Sequence, residues 1–181
     1  MPAMGLHHAE NACCALALGG ALGHDAARAA PALLAYAPGA GRGAAAQIAV
    51  DGGTALLIDE SYNAAPPAMR AALPGPGAAA RRPPHRGAGH DMRELGTFSA
   101  ALHAGLAPEA GRADLVFCCG PEMARLFALL PAAKRGAHAA DSAALAPMVR
   151  EALRPGDVVL VKGALGSRMA LVVRAPTESS T

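Results

Sequence analysis

The stretch T-A-L-L-I-D-E-S-Y-N-A-A-P-P-A-M-R-A-A-L, residues 54–73, decides the fold class. Its first part, Thr54–Ile58, is a short apolar run that is typical of a buried strand. Its last part, Pro66–Leu73, carries proline in the first turn and predicts a helix. Between the two, Asp59 and Glu60 begin a polar loop. A strand that leads through a polar loop into a helix is the repeating unit of an α/β protein.

The same alternation continues outward from this unit. Asp51-Gly52-Gly53 predicts a tight turn that joins Thr54–Ile58 to a preceding strand. The other predicted strands are Gln47–Val50, Asp114–Cys118, Val158–Lys162 and Met169–Val173, and the other predicted helices are Pro121–Leu130 and one that Asp141 or Ser142 caps and that ends near Leu153. Strands that alternate with helices of this length predict a mostly parallel sheet with flanking helices.

The first 40 residues follow a different pattern. Residues 8–20 and 25–36 are rich in alanine and leucine, and they predict two short helices, the second of them capped by Asp25. The segment A-P-G-A-G-R-G, residues 37–43, then interrupts all periodicity and predicts a linker. We therefore expect a domain boundary near residue 40.

One segment conflicts with the predicted sheet. The topology requires a central strand between Leu73 and Asp91, but residues 81–89 have the sequence R-R-P-P-H-R-G-A-G. Proline cannot donate to a strand ladder and glycine weakens a strand interior. We therefore predict that this segment does not form a buried strand.

Composition excludes several classes of protein. Of the 181 residues 52% are hydrophobic, so a core can form, and the net charge is only +2 without a basic tract, so nucleic-acid binding is not supported. The four cysteines form two adjacent pairs, which indicates free thiols in a reducing cytosol. Their spacing from the histidines does not match a metal site. No signal peptide is recognisable, and Ala12–Leu22 is too short to span a bilayer, so we expect a soluble, cytoplasmic protein.

Polar residues follow the predicted strands where ligands of α/β proteins bind, outside the carboxyl ends of the strands. Acids there can bind ribose hydroxyls or an ammonium group, while lysine and arginine can bind a carboxylate or a phosphate. Simpler interpretations remain open: Asp59 and Glu60 as a helix cap or surface acids, Lys162 as an ordinary strand end, and His103 as a helix-surface histidine. Neither a G-x-x-x-x-G-K-[ST] nor a G-x-S-x-G motif occurs.

Five stretches together resemble one family. They are G-L-H-H-A-E-N-A (5–12), G-R-G (41–43), L-I-D-E-S-Y-N-A-A-P-P-A-M-R-A-A-L (57–73), D-M-R-E-L-G (91–96) and V-L-V-K-G-A-L-G-S-R-M (159–169). In this order they resemble the C-terminal part of the Mur ligases, in particular the branch that joins D-alanyl-D-alanine to a UDP-N-acetylmuramoyl-tripeptide. The resemblance covers almost the whole chain.

The resemblance implies a domain organisation and an activity. Residues 1–40 correspond to the last helices of the central ATPase domain, and residues 41–181 to the Rossmann-like C-terminal domain. The family uses ATP and Mg²⁺ to convert a peptide carboxylate into an acyl phosphate, which the dipeptide amine then attacks. The P-loop and the magnesium ligands are expected upstream of residue 1, so we expect this chain to be catalytically incomplete alone. We also expect a monomer.

The resemblance also implies residue roles. Asn11 corresponds to the adenine-facing Asn of an H-N-x-x-N motif, in which His7 is the His and His8 replaces the first Asn. Arg42 corresponds to a linker arginine that reaches ATP phosphates, and Glu60 to the acid that contacts the ribose. The substrate side is implied for Asp59, for Asn63 in an N-A-N-P motif whose second Asn is Ala65 here, and for Lys162, Ser167 and Arg168 in a loop that faces the incoming dipeptide.

Two alternatives and one genetic hypothesis remain from the sequence. The chain could instead be a non-catalytic Rossmann-like module that binds a small peptide or nucleotide, or a partner that complements a separately encoded N-terminal half; DNA upstream of Met1 distinguishes these. The family has an apolar strand, I-A-V-L-G, before its G-D-M. A one-base shift in suitable codons for residues 84–89 converts P-H-R-G-A-G into that strand, and resequencing the gene tests this hypothesis.

Overall fold

A computed structural model describes residues 6–72 and 84–176. Within these residues, six strands form one sheet in the order β1-β2-β6-β3-β4-β5. The strands are β1 (Ala44–Val50), β2 (Gly53–Glu60), β3 (His85–His90), β4 (Leu115–Cys119), β5 (Arg135–Ala139) and β6 (Val158–Lys162). β1 and β2 form an antiparallel hairpin, and the other neighbouring pairs are parallel. The predicted α/β class with a mostly parallel sheet is confirmed.

Helices surround this sheet. They are α1 (Leu6–Ala21), α2 (Ala26–Ala29), α3 (Pro66–Ala72), α4 (Ser99–Ala104), α5 (Ala107–Ala110), α6 (Met123–Leu129), α7 (Ser142–Ala152) and α8 (Ala170–Arg174), with short 3-10 segments at Ala30–Ala35, Gly96–Phe98, Ala132–Lys134 and Leu165–Ser167. Asp25 and Asp141 cap α2 and α7, since each side chain accepts a backbone N–H two or three residues further on. The predicted end of α3 at Leu73 lies outside the described residues.

The two faces of the sheet carry separate apolar clusters, because successive side chains of a strand point to opposite faces. On one face α7 and α8 cover Phe117, Val159 and Val161. On the other face α3, α5 and α6 cover Val116 and Cys118. The molecule therefore has three layers, with helices on both sides of the sheet. No helix among the described residues has the length and apolarity needed to cross a membrane.

The prediction that residues 81–89 avoid the sheet is wrong for β3. β3 lies in the centre of the sheet and pairs with β6 on one side and β4 on the other. Its backbone N–H and C=O groups form these ladders although the segment has few apolar side chains. The charge of Arg86 is accommodated because its guanidinium forms two hydrogen bonds with the buried Asp157, at 2.9 and 3.3 Å. Residues 81–83 lie outside the described part of the chain.

The prediction of a last strand at Met169–Val173 is also wrong. This run forms α8, and Met169 and Val172 are fully buried three residues apart, as on one helix face. A short apolar run does not distinguish a strand from a buried helix by periodicity alone. The edge of the sheet beyond β4 is occupied instead by β5, which was not predicted because R-G-A-H-A lacks an apolar alternation.

Candidate functional site

The carboxyl ends of β2, β6 and β3 lie side by side, and the polar residues that follow them meet there. In the sheet register, Glu60 lies opposite Lys162, which in turn lies opposite Gly89. A cavity of about 300 Å³ opens at this edge. It is lined by His8, Asn11, Tyr36, Gly41, Arg42, Glu60, Tyr62, Asn63, Ala68 and Lys162. We call it the first cavity.

A buried ion pair forms the floor of the first cavity. The Nζ atom of Lys162 lies 3.0 Å from Oε2 of Glu60 and donates a hydrogen bond of 2.7 Å to the backbone oxygen of Asn63. Glu60 and Lys162 are only 6% and 7% exposed. Little water therefore screens the two charges, and their positions are fixed. Lys162 thus orients Glu60 and the chain at Asn63.

Asp59 holds the linker rather than facing the cavity. Its two carboxylate oxygens accept backbone N–H groups from Gly41, at 2.9 Å, and from Ser61, at 3.0 Å. Two further backbone hydrogen bonds join the linker to the end of β2: Gly43 N–H donates to the Asp59 oxygen and Tyr62 N–H donates to the Gly41 oxygen. Gly41 and Gly43 have φ angles of 74° and 95°, which favour glycine. Asp59 therefore determines where Arg42 lies.

Arg42 forms the exposed rim of the first cavity. The central carbon of its guanidinium lies 3.8 Å from the centroid of the Tyr62 ring, a cation–π contact. Its planar face is thus supported while its N–H groups remain available along the edge. Helix α1 approaches from the other side: the His8 imidazole packs closely on Gly43, and the exposed Asn11 also lines the cavity. His7 lies in α1, but its side chain is outside the described part of the structure.

Ser167 and Arg168 do not line the first cavity. The Ser167 hydroxyl is buried and donates to the Ala164 oxygen at 2.5 Å, while the Ser167 carbonyl accepts a hydrogen bond from the Ser142 hydroxyl. Ser167 therefore closes a turn after β6. Arg168 is exposed and has a left-handed φ of 56° at the end of this turn. The structure brings together Asn11, Arg42, Glu60, Asn63 and Lys162 but leaves these two residues apart from them.

A second cavity of about 380 Å³ adjoins the first, and Asn63 lines both. The second cavity is lined by Asn63, Ala64, Ala65, Pro66, Arg93, Glu94, Leu95, Ala164, Leu165 and Gly166. Arg93 and Glu94 are not among the site residues predicted from the sequence. The available signal was their position, in the loop D-M-R-E-L-G that follows β3 at the same edge of the sheet.

Hydrogen bonds at Asp91 and Met92 hold the loop that carries Arg93. Asp91 accepts the N–H groups of Met123 and Glu122 at the start of α6, at 2.7 and 3.2 Å. The N–H of Met92 donates to Nε2 of His103 at 2.8 Å, and Nδ1 of His103 lies 2.8 Å from the Ser99 oxygen. His103 is therefore assigned as neutral, with its proton on Nδ1. The surface position considered for it is wrong, because His103 is fully buried.

The cysteines are divided between the surface and the core. Cys13 and Cys14 are exposed on α1, whereas Cys118 and Cys119 are buried in β4. Burial raises the pKa of both β4 thiols, that of Cys119 to about 11, although a hydrogen bond with Ser142 opposes the effect. These thiols are unreactive near neutral pH. In residues 6–72 and 84–176, no group of three or more His, Cys, Asp or Glu side chains could hold a metal ion.

The family of the chain follows from comparison with known proteins. The model of the family described as "Mur ligase, glutamate ligase domain" matches residues 46–165. The chain belongs to this family. Its match begins in β1 and ends just after β6, so it includes the ends of β2 and β6 and the loop that carries Arg93. Comparison with curated proteins gives no significant match.

Solved Mur ligase structures share the fold of this Mur ligase domain. A MurF ligase from Thermotoga maritima in complex with ADP is 24% identical, with a TM-score of 0.67 over 88% of this chain and 35% of that one. A MurF from Acinetobacter baumannii is 24% identical, with a TM-score of 0.78 over 99% of this chain and 39% of that one. This chain thus spans little more than a third of their length, and at such identities the likeness shows the fold alone.

Proposed function

We propose that this chain is the C-terminal part of an ATP-dependent, amide-forming ligase that adds D-alanyl-D-alanine to UDP-N-acetylmuramoyl-tripeptide in peptidoglycan precursor synthesis. The observation that carries the proposal is the convergence of Asn11, Arg42, Glu60, Asn63 and Lys162 on the first cavity. The family supports it, as do two relatives: the T. maritima MurF binds ADP, and another A. baumannii structure is described as a D-alanyl-D-alanyl ligase, 23% identical with a TM-score of 0.76 over 99% of this chain and 38% of that one.

The side chains around the first cavity fit part of a nucleotide. Arg42 offers a cation for phosphate oxygens, Glu60 offers a buried carboxylate for ribose hydroxyls, and Asn11 offers an amide for the base. The cavity volume of about 300 Å³ lies at the lower end of the range for ligand pockets. It is therefore suited to one face of ATP, with the remainder held by another domain. We assign no Mg²⁺ ligand to the described residues.

The residues of this chain would bind and shield rather than perform the phosphoryl transfer. ATP supplies the phosphoryl group that activates the peptide carboxylate. Tyr62 supports the plane of Arg42, so that its donors approach phosphate oxygens with little loss of side-chain freedom. Lys162 holds Glu60 in place and offsets its charge. A domain that closes this surface over the nucleotide excludes water from the activated carboxylate.

The N-terminal helices support assignment of residues 1–40 to a larger central domain. Leu18 and Leu22 are 67% and 79% exposed, and Leu34 is 70% exposed. Contiguous exposed apolar side chains mark surfaces that another protein segment covers. The 181 residues contain no P-loop motif. We therefore expect no ATP turnover by this chain alone.

Nucleotide binding to the purified chain tests the proposal. Isothermal titration with ATP should detect binding, and Arg42→Ala should weaken it about tenfold, because a hydrogen-bonded charge contact is lost. Arg125→Ala is the matched control, since Arg125 is an exposed arginine on α6 outside the first cavity. Equal affinities of wild type and Arg42→Ala would contradict the assignment.

A second assay addresses completeness. Phosphate release should be measured with ATP, D-alanyl-D-alanine and the UDP-tripeptide, first with this chain and then with added N-terminal domains of a related ligase. We expect release only in the second mixture. Turnover by this chain alone would contradict the inferred need for a separate ATPase domain.

A further inference from the structure

We propose that the second cavity binds a small zwitterion with a free carboxylate, and that Arg93 is the residue that binds this carboxylate. The inference rests on the proposed function and deepens it, since the incoming dipeptide has this chemistry. It replaces the expectation that Ser167 and Arg168 face the dipeptide. Four observations carry it: the charges on the cavity wall, the support of the loop, the apolar lining and the junction with the first cavity.

The wall of the second cavity carries one charge of each sign. Arg93 and Glu94 both line it and both are exposed. Among the described residues, neither side chain forms a hydrogen bond or an ion pair with the protein. The guanidinium fork of arginine matches a carboxylate in two parallel hydrogen bonds, and a glutamate accepts from an ammonium group. The pair therefore complements the two ends of a zwitterion.

The loop presents these charges from a fixed base. Asp91 is tied to the start of α6 and Met92 to the fully buried His103. Glu94 itself has a φ of 63°, in the left-handed region that non-glycine residues seldom adopt. Strained residues of this kind persist where the surrounding structure determines them, and they cluster at ligand sites. A loop that is already held in place loses less conformational entropy when a ligand binds.

The remaining walls match methyl side chains. Ala64, Ala65, Pro66, Ala164 and Leu165 line the second cavity and contribute small apolar surfaces. The backbone of Gly166 allows the Arg93 guanidinium to approach closely, since any Cβ at Gly166 would overlap with it. A dipeptide of alanine residues combines two methyl groups with two opposite charges. The lining is therefore more suitable for such a ligand than for a long or aromatic side chain.

The junction of the two cavities places the ligand beside the first cavity. Asn63 lines both, and its backbone oxygen is held by Lys162 at the floor of the first cavity. A ligand whose carboxylate is held by Arg93 and whose amine is accepted by Glu94 is kept in the second cavity, which Asn63 also lines. The amine would then lie next to the cavity proposed for the nucleotide, where the activated carboxylate is expected.

Binding of D-alanyl-D-alanine to the full chain tests this inference. In amide-detected NMR titrations, we expect shifts at Arg93–Leu95 and Ala164–Gly166. Arg93→Ala should raise the Kd about tenfold. Amidation of the dipeptide's C-terminus should weaken its binding to wild type as much as Arg93→Ala weakens binding of the free dipeptide. Combining the amidated dipeptide with Arg93→Ala should weaken binding little further. Such non-additivity indicates that the carboxylate and Arg93 contact each other.

Matched variants make each outcome decisive. Arg168→Ala removes an exposed arginine outside the second cavity and should leave the Kd unchanged. Arg93→Lys keeps the charge without the fork and should give an intermediate Kd. Absence of shifts, an unchanged Kd in Arg93→Ala, or an effect confined to Arg168→Ala would each overturn the inference. ATP binding should persist in Arg93→Ala, so this failure is distinct from failure of the proposed nucleotide site.

Discussion

Replacing Gly87 by alanine should stabilise the protein, because β3 leaves a void beside this residue. An apolar cavity of about 30 Å³ lies between β3 and the helices that cover it. A Cβ at Gly87 would meet no atom within 4 Å, whereas a Cβ at Gly89 would lie 3.0 Å from the Cε of Met123. Gly87 does not have a positive φ, so the new methyl group causes no backbone strain. The two glycines therefore form a matched pair on one strand.

The expected gain follows from two contributions. Glycine in a strand interior is less stable than alanine by roughly 0.5–1 kcal/mol. Burial of one methyl group contributes about 0.8 kcal/mol. Filling a void of 30 Å³ at roughly 24 cal/mol per Å³ gives about 0.7 kcal/mol, in agreement with the burial value. The free energy of unfolding should therefore rise by about 1–2 kcal/mol, which corresponds to about 2–8 °C in Tm.

Thermal and urea unfolding followed by circular dichroism measure this gain. Gly89→Ala is the control, and it should be neutral or destabilising because Met123 must move. The reasoning is refuted if Gly87→Ala is no more stable than wild type, or if Gly89→Ala gains as much. Gly87→Val tests the genetic hypothesis as well, because the one-base shift proposed for residues 84–89 would place valine at position 87.

Four further experiments test contacts around the site and in the core. Lys162→Met should lower the free energy of unfolding by about 3–5 kcal/mol, since it leaves the Glu60 charge buried without its partner, and adding Glu60→Leu should recover much of this loss in urea titrations. His103→Phe should cost about 1–3 kcal/mol and speed hydrogen exchange at the Met92 amide, which loses its acceptor; unchanged exchange would contradict this role. A thiol reagent should label the two α1 cysteines at once and the two β4 cysteines only after unfolding. Burial raises the pKa of Cys119 from 9.0 to about 11, so the folded state favours the protonated thiol. The stability that this preference contributes is complete below pH 9 and is lost as the pH rises toward 11. Cys119→Ala should reduce this decline in the free energy of unfolding.

Local chemistry predicted the elements whose own residues specify them. The hairpin of β1 and β2 follows from the turn at Asp51-Gly52-Gly53, and β6 follows from a run of branched apolar residues. The caps at Asp25 and Asp141 follow from side chains that accept backbone N–H groups. In each case the deciding interaction lies within a few residues along the chain. These elements could therefore be located without knowledge of the tertiary structure.

Tertiary contacts decided the elements that were predicted wrongly. β3 pairs on both sides with strands distant in sequence, and its Arg86 is tolerated because Asp157 meets it from the turn before β6. β5 lies at the sheet edge beside β4, where one partner is enough for a short strand of weak propensity. α8 is a helix because it packs on α7. None of these partners is visible in the local sequence pattern.

The candidate site shows the same division between local and distant determinants. The rule that ligands bind at the carboxyl edge of a parallel sheet pointed to the ends of β2 and β6, where the first cavity opens. The rule did not show which of two adjacent acids faces the cavity: Glu60 lines the first cavity, while the Asp59 carboxylate accepts a hydrogen bond from the linker. Neighbours on a strand point to opposite faces, so a difference of one position separates an acid that lines the cavity from one that holds the linker.

Asp59 and Arg42 together give the linker a role that composition did not predict. Residues 37–43 were predicted only as a linker, whereas in the structure hydrogen bonds from Gly41 and Gly43 attach this linker to the end of β2. Arg42 is thereby placed over Tyr62 at the rim of the first cavity. In the ligase proposed above, a rotation between a central domain and this one would occur on the N-terminal side of Gly41. Arg42 would then move with the sheet toward the nucleotide.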